Sequence, residues 1–179
     1  MKIIEAMKQI KDLQQKAEDL RGKVAKYCTD LDHETVVYGT EQEQRAQIES
    51  WIQAHSDILK EILHLRVAIQ ATNLATPVAI QLNGKVVTKT IAEWIHRRRD
   101  LAGAEQEMWA GLGRKESGMR EGTLQTSTGQ LQEVKIRRYY DPSNRDEHLE
   151  VYRSEPLRVD ATLEVVNATT DLIEFELKK

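Results

Sequence analysis

The chain reads EQEQRAQIESWIQAHSDILKEILHLRVAIQATN over residues 41–73, without proline or glycine. Mostly apolar residues recur here in alternating steps of three and four, which places them along one stripe of a helix. Two further segments show the same spacing. The three rows are Ile10, Leu13, Ala17, Leu20, Val24, Tyr27, Leu31; Ile48, Ile52, His55, Leu59, Ile62, Arg66, Ile69; and Leu149, Tyr152, Pro156, Val159, Leu163, Val166, Thr170, Ile173. Long helices with such narrow stripes must pack against each other or against another copy.

The composition agrees with a helical protein of one domain. Among 179 residues, 31% are charged and only 5% are aromatic, whereas aromatic and β-branched residues favour strands. The net charge of −3 gives no overall attraction to nucleic acid or to an anionic membrane. A single cysteine, Cys28, excludes an intramolecular disulfide and fits a reducing compartment.

The chain contains no apolar run of membrane-spanning length and no signal-peptide core at its N-terminus. We therefore expect a soluble cytoplasmic protein without a membrane span, or a virion-associated one if a phage encodes it.

The first two helices have clear boundaries. Residues 3–28 predict a helix, and Thr40 with Glu43 has the spacing of a capping box. A second helix over about 41–73 then ends before Pro77, because proline disfavours helical backbone at the preceding residue.

A β-hairpin is predicted at 78–88. Alternating apolar residues precede Asn83-Gly84, which supplies the two positive-φ residues of a type I′ turn, and Val86-Val87 begin the returning strand. A lone hairpin is only marginally stable in water, so we expect this one to pack on a helix or to pair with another strand.

A second capping box, Thr90 with Glu93, predicts a third helix over about 90–111. Gly111 and Gly113 are expected to end this helix, since glycine is the usual residue just past a helix C-terminus.

The segment 113–140 is predicted to be a flexible insertion that contains a second hairpin. Residues 113–130 are rich in glycine, serine and threonine, which is typical of mobile segments. Residues 122–132, GTLQTSTGQLQ, form the hairpin, and residues 133–140, EVKIRRYY, form its outgoing strand.

Asp141-Pro142 is a favourable start for a last helix that runs to about residue 173. The apolar row keeps its register on both sides of Pro156, so we expect one kinked helix. The alternative is a new helix capped by Ser154. Together these elements predict a mainly α fold, an antiparallel bundle of about four long helices with one or two small β-hairpins, in a single domain over 1–179.

Four segments carry a resemblance to a known family: EAMKQIKDLQQKAEDLRGKV (5–24), LRVAIQATNLAT (65–76), NGKVVTKTIAEWIHRRRDL (83–101) and LEVVNATTDL (163–172). With them the chain resembles the septicolysin-like family, small helical proteins of bacteria and their phages whose function is largely unknown. The family name suggests a pore-forming toxin, but this chain has no amphipathic hairpin long enough to cross a bilayer. We therefore carry over neither that activity nor any catalytic residue.

Two Glu-x-x-His pairs are candidate metal ligands: Glu61 with His64, and Glu93 with His96. A spacing of three places both side chains of a pair on one helical face, and di-iron helical bundles use two such pairs. The alternative is that both pairs lie beside the apolar rows in solvent.

Two basic clusters could contact phosphates: Arg97, Arg98 and Arg99, and Lys135, Arg137 and Arg138. Tyr139 and Tyr140 adjoin the second cluster and could stack on bases. The alternative is a solvated helical face with intrahelical ion pairs.

The sequence contains no recognisable catalytic motif, and we expect a structural or scaffold protein without enzymatic activity or cofactor. It would act by self-association, with phage or bacterial structural proteins as further partners. The residues expected to pack helices or to form the oligomer are Ile48, Ile52, Leu59, Ile62, Ile69, Leu149, Tyr152, Val159, Leu163 and Val166.

Overall fold

The computed structural model describes residues 1–173, which are mainly helical with two small antiparallel two-stranded sheets. This confirms the predicted class. The helices are α1 (Ile3–Tyr27), α2 (Glu41–Ala75), α3 (Ile91–His96), α4 (Ala102–Arg114) and α5 (Pro142–Thr169); the strands are β1 (Pro77–Leu82), β2 (Lys85–Thr90), β3 (Gly122–Gln125) and β4 (Leu131–Val134). None of the described helices is long and apolar enough to cross a membrane.

The chain folds into two compact units. Unit 1 contains Met1–Thr76 and the described residues from Val165 onward, and unit 2 is Pro77–Glu164. The expectation of a single domain stays a prediction.

Unit 1 is built on the helical hairpin of α1 and α2. The capping box at the start of α2 is confirmed, because the Thr40 hydroxyl accepts a hydrogen bond from the Glu43 amide while the Glu43 carboxylate accepts one from the Thr40 amide. At about 1.5 Å per residue, the 35 residues of α2 make a rod of roughly 52 Å. The helix ends at Ala75, slightly beyond the predicted end and directly before the Thr76-Pro77 step.

The core of unit 1 lies between the two helices. Buried Ala6 and Leu13 of α1 belong to the first apolar row or its extension, so that helix packs as predicted. On α2 the buried face overlaps the predicted row only in part, since it shares Ile62 and Ile69 with that row. Its residues are Ile58, Ile62, Leu65 and Ile69, whereas Ile52 and Leu59 are about half exposed. The sequence pattern was ambiguous because α2 carries apolar residues on two neighbouring stripes, and α1 covers only one of them.

The ends of unit 1 are tied together by backbone hydrogen bonds. The Ile3 amide donates to the Thr170 carbonyl at 3.1 Å, and the Leu172 amide donates to the Met1 carbonyl at 2.8 Å. The Lys2 ammonium adds a salt bridge to Asp171 at 2.6 Å. These contacts fix the start of α1 against the segment that follows α5.

Unit 2 begins with the first predicted hairpin, which is confirmed. Asn83 and Gly84 have φ values of 45° and 75°, as a type I′ turn requires. Every second residue of β1 is buried. The indole N–H of Trp94, a fully buried residue of α3, donates to the Val78 carbonyl at 2.9 Å. The hairpin therefore packs on a helix, as its marginal intrinsic stability demands.

The third helix begins as predicted but is longer and irregular. Thr90 and Glu93 form the expected capping box. A π-helical turn, Arg97–Leu101, then joins α3 to α4. The predicted end at Gly111 is wrong, since α4 continues to Arg114.

Gly113 has a packing role instead of ending the helix. A Cβ atom at this position would lie 2.6 Å from the Arg145 guanidinium. Glycine therefore allows the arginine of α5 to approach the backbone of α4 closely.

The second hairpin is present, with Gly122 opposite Val134 and Gln125 opposite Leu131. The predicted outgoing strand is only partly correct, because β4 ends at Val134 and residues 135–140 lie outside it. The Ile136 amide donates to the Glu121 carboxylate at 2.9 Å rather than continuing the ladder. Every residue of β3 is exposed, so no buried face extends the pairing.

The start of α5 is confirmed, and the Asp141 carboxylate accepts a hydrogen bond from the Ser143 amide at 2.9 Å. The helix continues through Pro156, and the Ser154 hydroxyl donates to the Val151 carbonyl within it. The alternative of a new helix at Ser154 is therefore wrong. The helix ends at Thr169, about four residues before the predicted end.

Candidate functional site

The most buried charged group among the described residues is Glu155 of α5, whose exposed fraction is 1%. Arg97 binds it with two hydrogen bonds, from Nε to Oε1 at 2.6 Å and from Nη2 to Oε2 at 2.7 Å. The paired carboxylate raises the pKa of the Arg97 guanidinium. A carboxylate this deeply buried needs such a partner, because it has lost its hydration.

Further groups surround Arg97. Glu105 of α4 lies 3.7 Å from its Nη1, and the Tyr152 ring lies 5.7 Å from its Cζ. Burial raises the pKa of Tyr152. The Arg97 guanidinium is thus paired with carboxylates of unit 2 and is not free to bind a ligand.

The π-helical turn explains why two consecutive arginines reach the same helix. In a regular α-helix, neighbouring side chains point about 100° apart. Here Arg97 pairs with Glu155 while Arg98 pairs with Asp160, both on α5. The extra residue in a π turn shifts the side-chain directions, and such turns are often found at functional sites. Of the three arginines predicted to contact nucleic acid here, Arg97 and Arg98 hold α5, and Arg99 is exposed.

A ladder of aromatic rings continues the contact between α4 and α5. The rings of Trp109 and His148 stack with centroids 4.1 Å apart and an interplanar angle of 12°. Tyr152 follows at 5.9 Å and 18° from His148. The spacing of four residues places His148 and Tyr152 on one face of α5, directly before Glu155.

A second site in unit 2, which we name the basic groove, has a volume of about 310 Å³. It lies where the end of α4 meets the segment between β4 and α5. Its lining residues are Leu112, Lys115, Glu116, Met119, Ile136, Arg137, Arg138, Tyr139 and Tyr140.

Glu116 organises the polar side of the basic groove. Its carboxylate accepts hydrogen bonds from the Arg138 guanidinium and, at 2.8 Å, from the Tyr140 hydroxyl. Arg145 donates to the Tyr140 oxygen at 3.3 Å. The bond from Arg138, followed by that from Tyr140, lowers the pKa of Glu116 to about 2. The same Glu116 contact raises the pKa of Tyr140.

The basic groove is locally positive in a chain of net charge −3. Residues 114–145 contain seven lysines and arginines against four aspartates and glutamates. Tyr139 lies at the rim of the basic groove as part of its lining. The predicted nucleic-acid residues Arg137 and Arg138 line the groove, whereas Lys135 pairs with Glu133 at 3.2 Å.

The four predicted metal ligands are distributed over both units. In unit 1, Glu61 accepts a hydrogen bond from Gln9 at 2.7 Å, and His64 is exposed. In unit 2, Glu93 is engaged by the amide and hydroxyl of Thr90, which lower its pKa, and His96 is exposed. Within residues 1–173, no group of three or more His, Cys, Asp and Glu side chains is arranged to hold a metal ion.

Among the predicted packing residues, most lie in or beside the core of their own unit. Val159, Leu163 and Ile62 are buried, and those that are partly buried are Ile48, Ile69, Leu149, Tyr152 and Val166. The remaining two predicted residues, Ile52 and Leu59, are exposed. Together with Leu63, which was not predicted, they form an exposed row that we name the α2 stripe. Its members and their exposed fractions are Ile52 (53%), Leu59 (49%) and Leu63 (53%).

Sequence reasoning missed Glu155, Lys115, Glu116 and Arg145. One signal for Glu155 was available: it lies seven residues after His148 and three after Tyr152, which is the spacing of a single helical face. No family model, curated protein or solved structure matches this chain.

Proposed function

We propose that this protein is a non-enzymatic scaffold that acts by self-association through α2. The long-helix bundle expected from the sequence would be completed by two copies, each contributing the α1–α2 hairpin of its unit 1. The observation that carries this proposal is the α2 stripe. From the family resemblance we further propose a phage-derived or virion assembly as the setting, with other structural proteins as partners.

A two-helix hairpin covers only one face of each helix. The α2 stripe lies beside the face that α1 covers, and its three large side chains are spaced by seven and four residues, on one side of the helix. Removing apolar surface from water is favourable by about 25 cal/mol per Å². A second copy that covers the stripe would gain this energy and form a four-helix arrangement.

The positions along the stripe suit an antiparallel, two-fold pairing of α2 with α2. If Ile52 lies opposite Leu63 of the second copy, Leu63 lies opposite its Ile52, and Leu59 falls near the symmetry axis. The stripe is therefore complementary to itself, which a closed two-fold dimer requires.

Charge at the ends of the stripe favours the same orientation. Glu49 lies three residues before Ile52, and Arg66 lies three residues after Leu63; both are exposed. Antiparallel pairing brings each Glu49 near the Arg66 of the other copy. Parallel pairing would bring like charges together, which is unfavourable.

The test is the molar mass in solution, measured by light scattering across a tenfold range of concentration. We expect twice the chain mass of 20.6 kDa for the wild type. Leu59→Glu should give a monomer, because it places a charge at the centre of the stripe. Leu157→Glu changes an exposed leucine of α5 and should remain a dimer. A monomeric wild type, or a dimer that survives Leu59→Glu, would contradict the proposal.

A charge exchange tests the orientation separately. Glu49→Arg and Arg66→Glu should each weaken the dimer, and the double variant should restore it. If the double variant is weaker than either single variant, the antiparallel pairing is wrong.

A further inference from the structure

We infer that the basic groove of unit 2 binds single-stranded nucleic acid, with Lys115 and Arg137 contacting phosphates and Tyr139 stacking on a base. This activity is independent of the proposed self-association, which uses residues of unit 1. It keeps Arg137 and Tyr139 from the sequence-based hypothesis and drops the cluster at 97–99, because Arg97 and Arg98 pair with carboxylates of α5.

The charge of the groove lining supports an anionic ligand. Lys115, Arg137 and Arg138 line the groove together with one acidic side chain, that of Glu116. The lining thus carries three cationic side chains against one carboxylate. A concave surface with this excess attracts phosphates even when the whole chain is weakly acidic.

The basic side chains that can bind phosphate are those that are not paired with Glu116. Arg138 is fixed by its contact with Glu116. Neither Lys115 nor Arg137 forms a salt bridge within residues 1–173. These two side chains can therefore exchange water for phosphate oxygens without breaking a protein contact.

The aromatic and apolar part of the lining points to nucleotides rather than to a simple anion. Tyr139 is 89% exposed, so its ring offers an open face next to Arg137 and Arg138. Leu112, Met119 and Ile136 provide apolar surface in the same groove. Basic side chains beside an exposed aromatic ring are the combination by which proteins bind single strands without sequence preference.

A single strand fits this arrangement better than a duplex. A base must leave its stack before its face can contact the Tyr139 ring, and single strands present unstacked bases at little energetic cost. An acidic peptide would use the cations but not the ring, so it is the competing outcome.

The test is fluorescence anisotropy of labelled oligothymidylate, longer than the roughly 4–16 nucleotides that small single-strand sites cover. We expect binding that weakens with salt, with a log–log slope of about −1.4 for two phosphate contacts. Arg137→Ala should reduce the slope by about 0.7. Tyr139→Ala should weaken binding about 5- to 150-fold while the slope stays unchanged.

Two controls make the result specific. Arg99→Ala removes an exposed arginine outside the groove and should bind as the wild type does. All substitutions are at the surface, and circular dichroism checks that the variants fold. Absence of salt-sensitive binding, or binding that neither groove variant weakens, would overturn the inference. Equal affinity for the matching duplex, or for polyglutamate of similar length, would also overturn it.

Discussion

The Arg97–Glu155 and Arg138–Glu116 pairs of unit 2 have the same chemistry in different surroundings. Arg97 and Glu155 meet between helices, where the side chain of the glutamate is 2% exposed. Arg138 and Glu116 meet in the basic groove, where their side chains are 39% and 25% exposed. Both arginines use more than one nitrogen to bind the carboxylate.

The difference between the two pairs lies in what replaces a lost partner. At the groove, water can hydrate whichever ion remains, so an exposed pair contributes little to stability. Between the helices, water cannot reach the Glu155 carboxylate if Arg97 is removed. The cost of burying this charge is then not compensated. The buried pair is therefore a structural requirement, whereas the exposed pair shapes a surface that a ligand can use.

The largest effect should come from breaking the buried pair. Arg97→Met keeps much of the side-chain volume but leaves Glu155 buried without its cation. We expect a loss of about 3–5 kcal/mol in the free energy of unfolding, measured by urea denaturation. Arg99→Met, at an exposed position two residues away, should change it by no more than about 0.5 kcal/mol.

The double variant Arg97→Met with Glu155→Leu shows whether the uncompensated charge is the cause. Replacing both members of a buried pair by apolar residues is often neutral or stabilising. We therefore expect it to recover most of the loss. A double variant as unstable as Arg97→Met alone would mean that Arg97 acts through its other neighbours, Glu105 and Tyr152.

The sequence predicted those parts of the fold that depend on residues close together in the chain. Both capping boxes use residues three apart, and the turn at Asn83-Gly84 needs only two positive-φ residues. The start of α5 at Asp141-Pro142 is equally local. In each case the responsible hydrogen bond closes within a few residues, so the pattern determines it without tertiary contacts.

The buried pair could not be predicted in this way. Arg97 and Glu155 are 58 positions apart, and the π turn that directs Arg97 toward α5 has no local pattern in the sequence. An acidic residue next to an apolar row is ordinarily solvated. Its burial follows only from the tertiary packing of α5.

The basic groove was predicted only in part, because its residues come from two separate segments of the chain. Arg137 to Tyr140 are adjacent in sequence and were recognised together. Lys115 and Glu116 lie before the second hairpin, and only folding brings them to the same place. The α2 stripe was likewise mixed with the core row, because choosing between two neighbouring apolar stripes requires the position of α1.

Breaking the exposed pair should have a smaller effect on stability and a distinct effect on titration. Arg138→Met should move the urea midpoint far less than Arg97→Met, since water replaces the lost contact. The pKa of Glu116 should rise from about 2 toward its ordinary 4.5, because the hydrogen bond from Arg138 is the largest cause of its shift. Carboxyl NMR measures this pKa directly. A pKa that stays near 2 would assign the shift to Tyr140 instead.

The smallest effect concerns the pH dependence of stability. The folded-state pKa of Glu116, about 2, lies below its ordinary 4.5, so ionised Glu116 stabilises the fold above pH 4.5. This contribution is lost as the pH falls through 4.5 toward 2. Glu116→Gln cannot titrate, so its stability should fall less than that of the wild type across this window in urea denaturation.

Adding Arg138→Met to Glu116→Gln should not change the pH dependence further, because the titrating partner is already absent. If the wild type and Glu116→Gln lose stability in parallel, ionised Glu116 does not stabilise the fold, and only the buried pair contributes to stability.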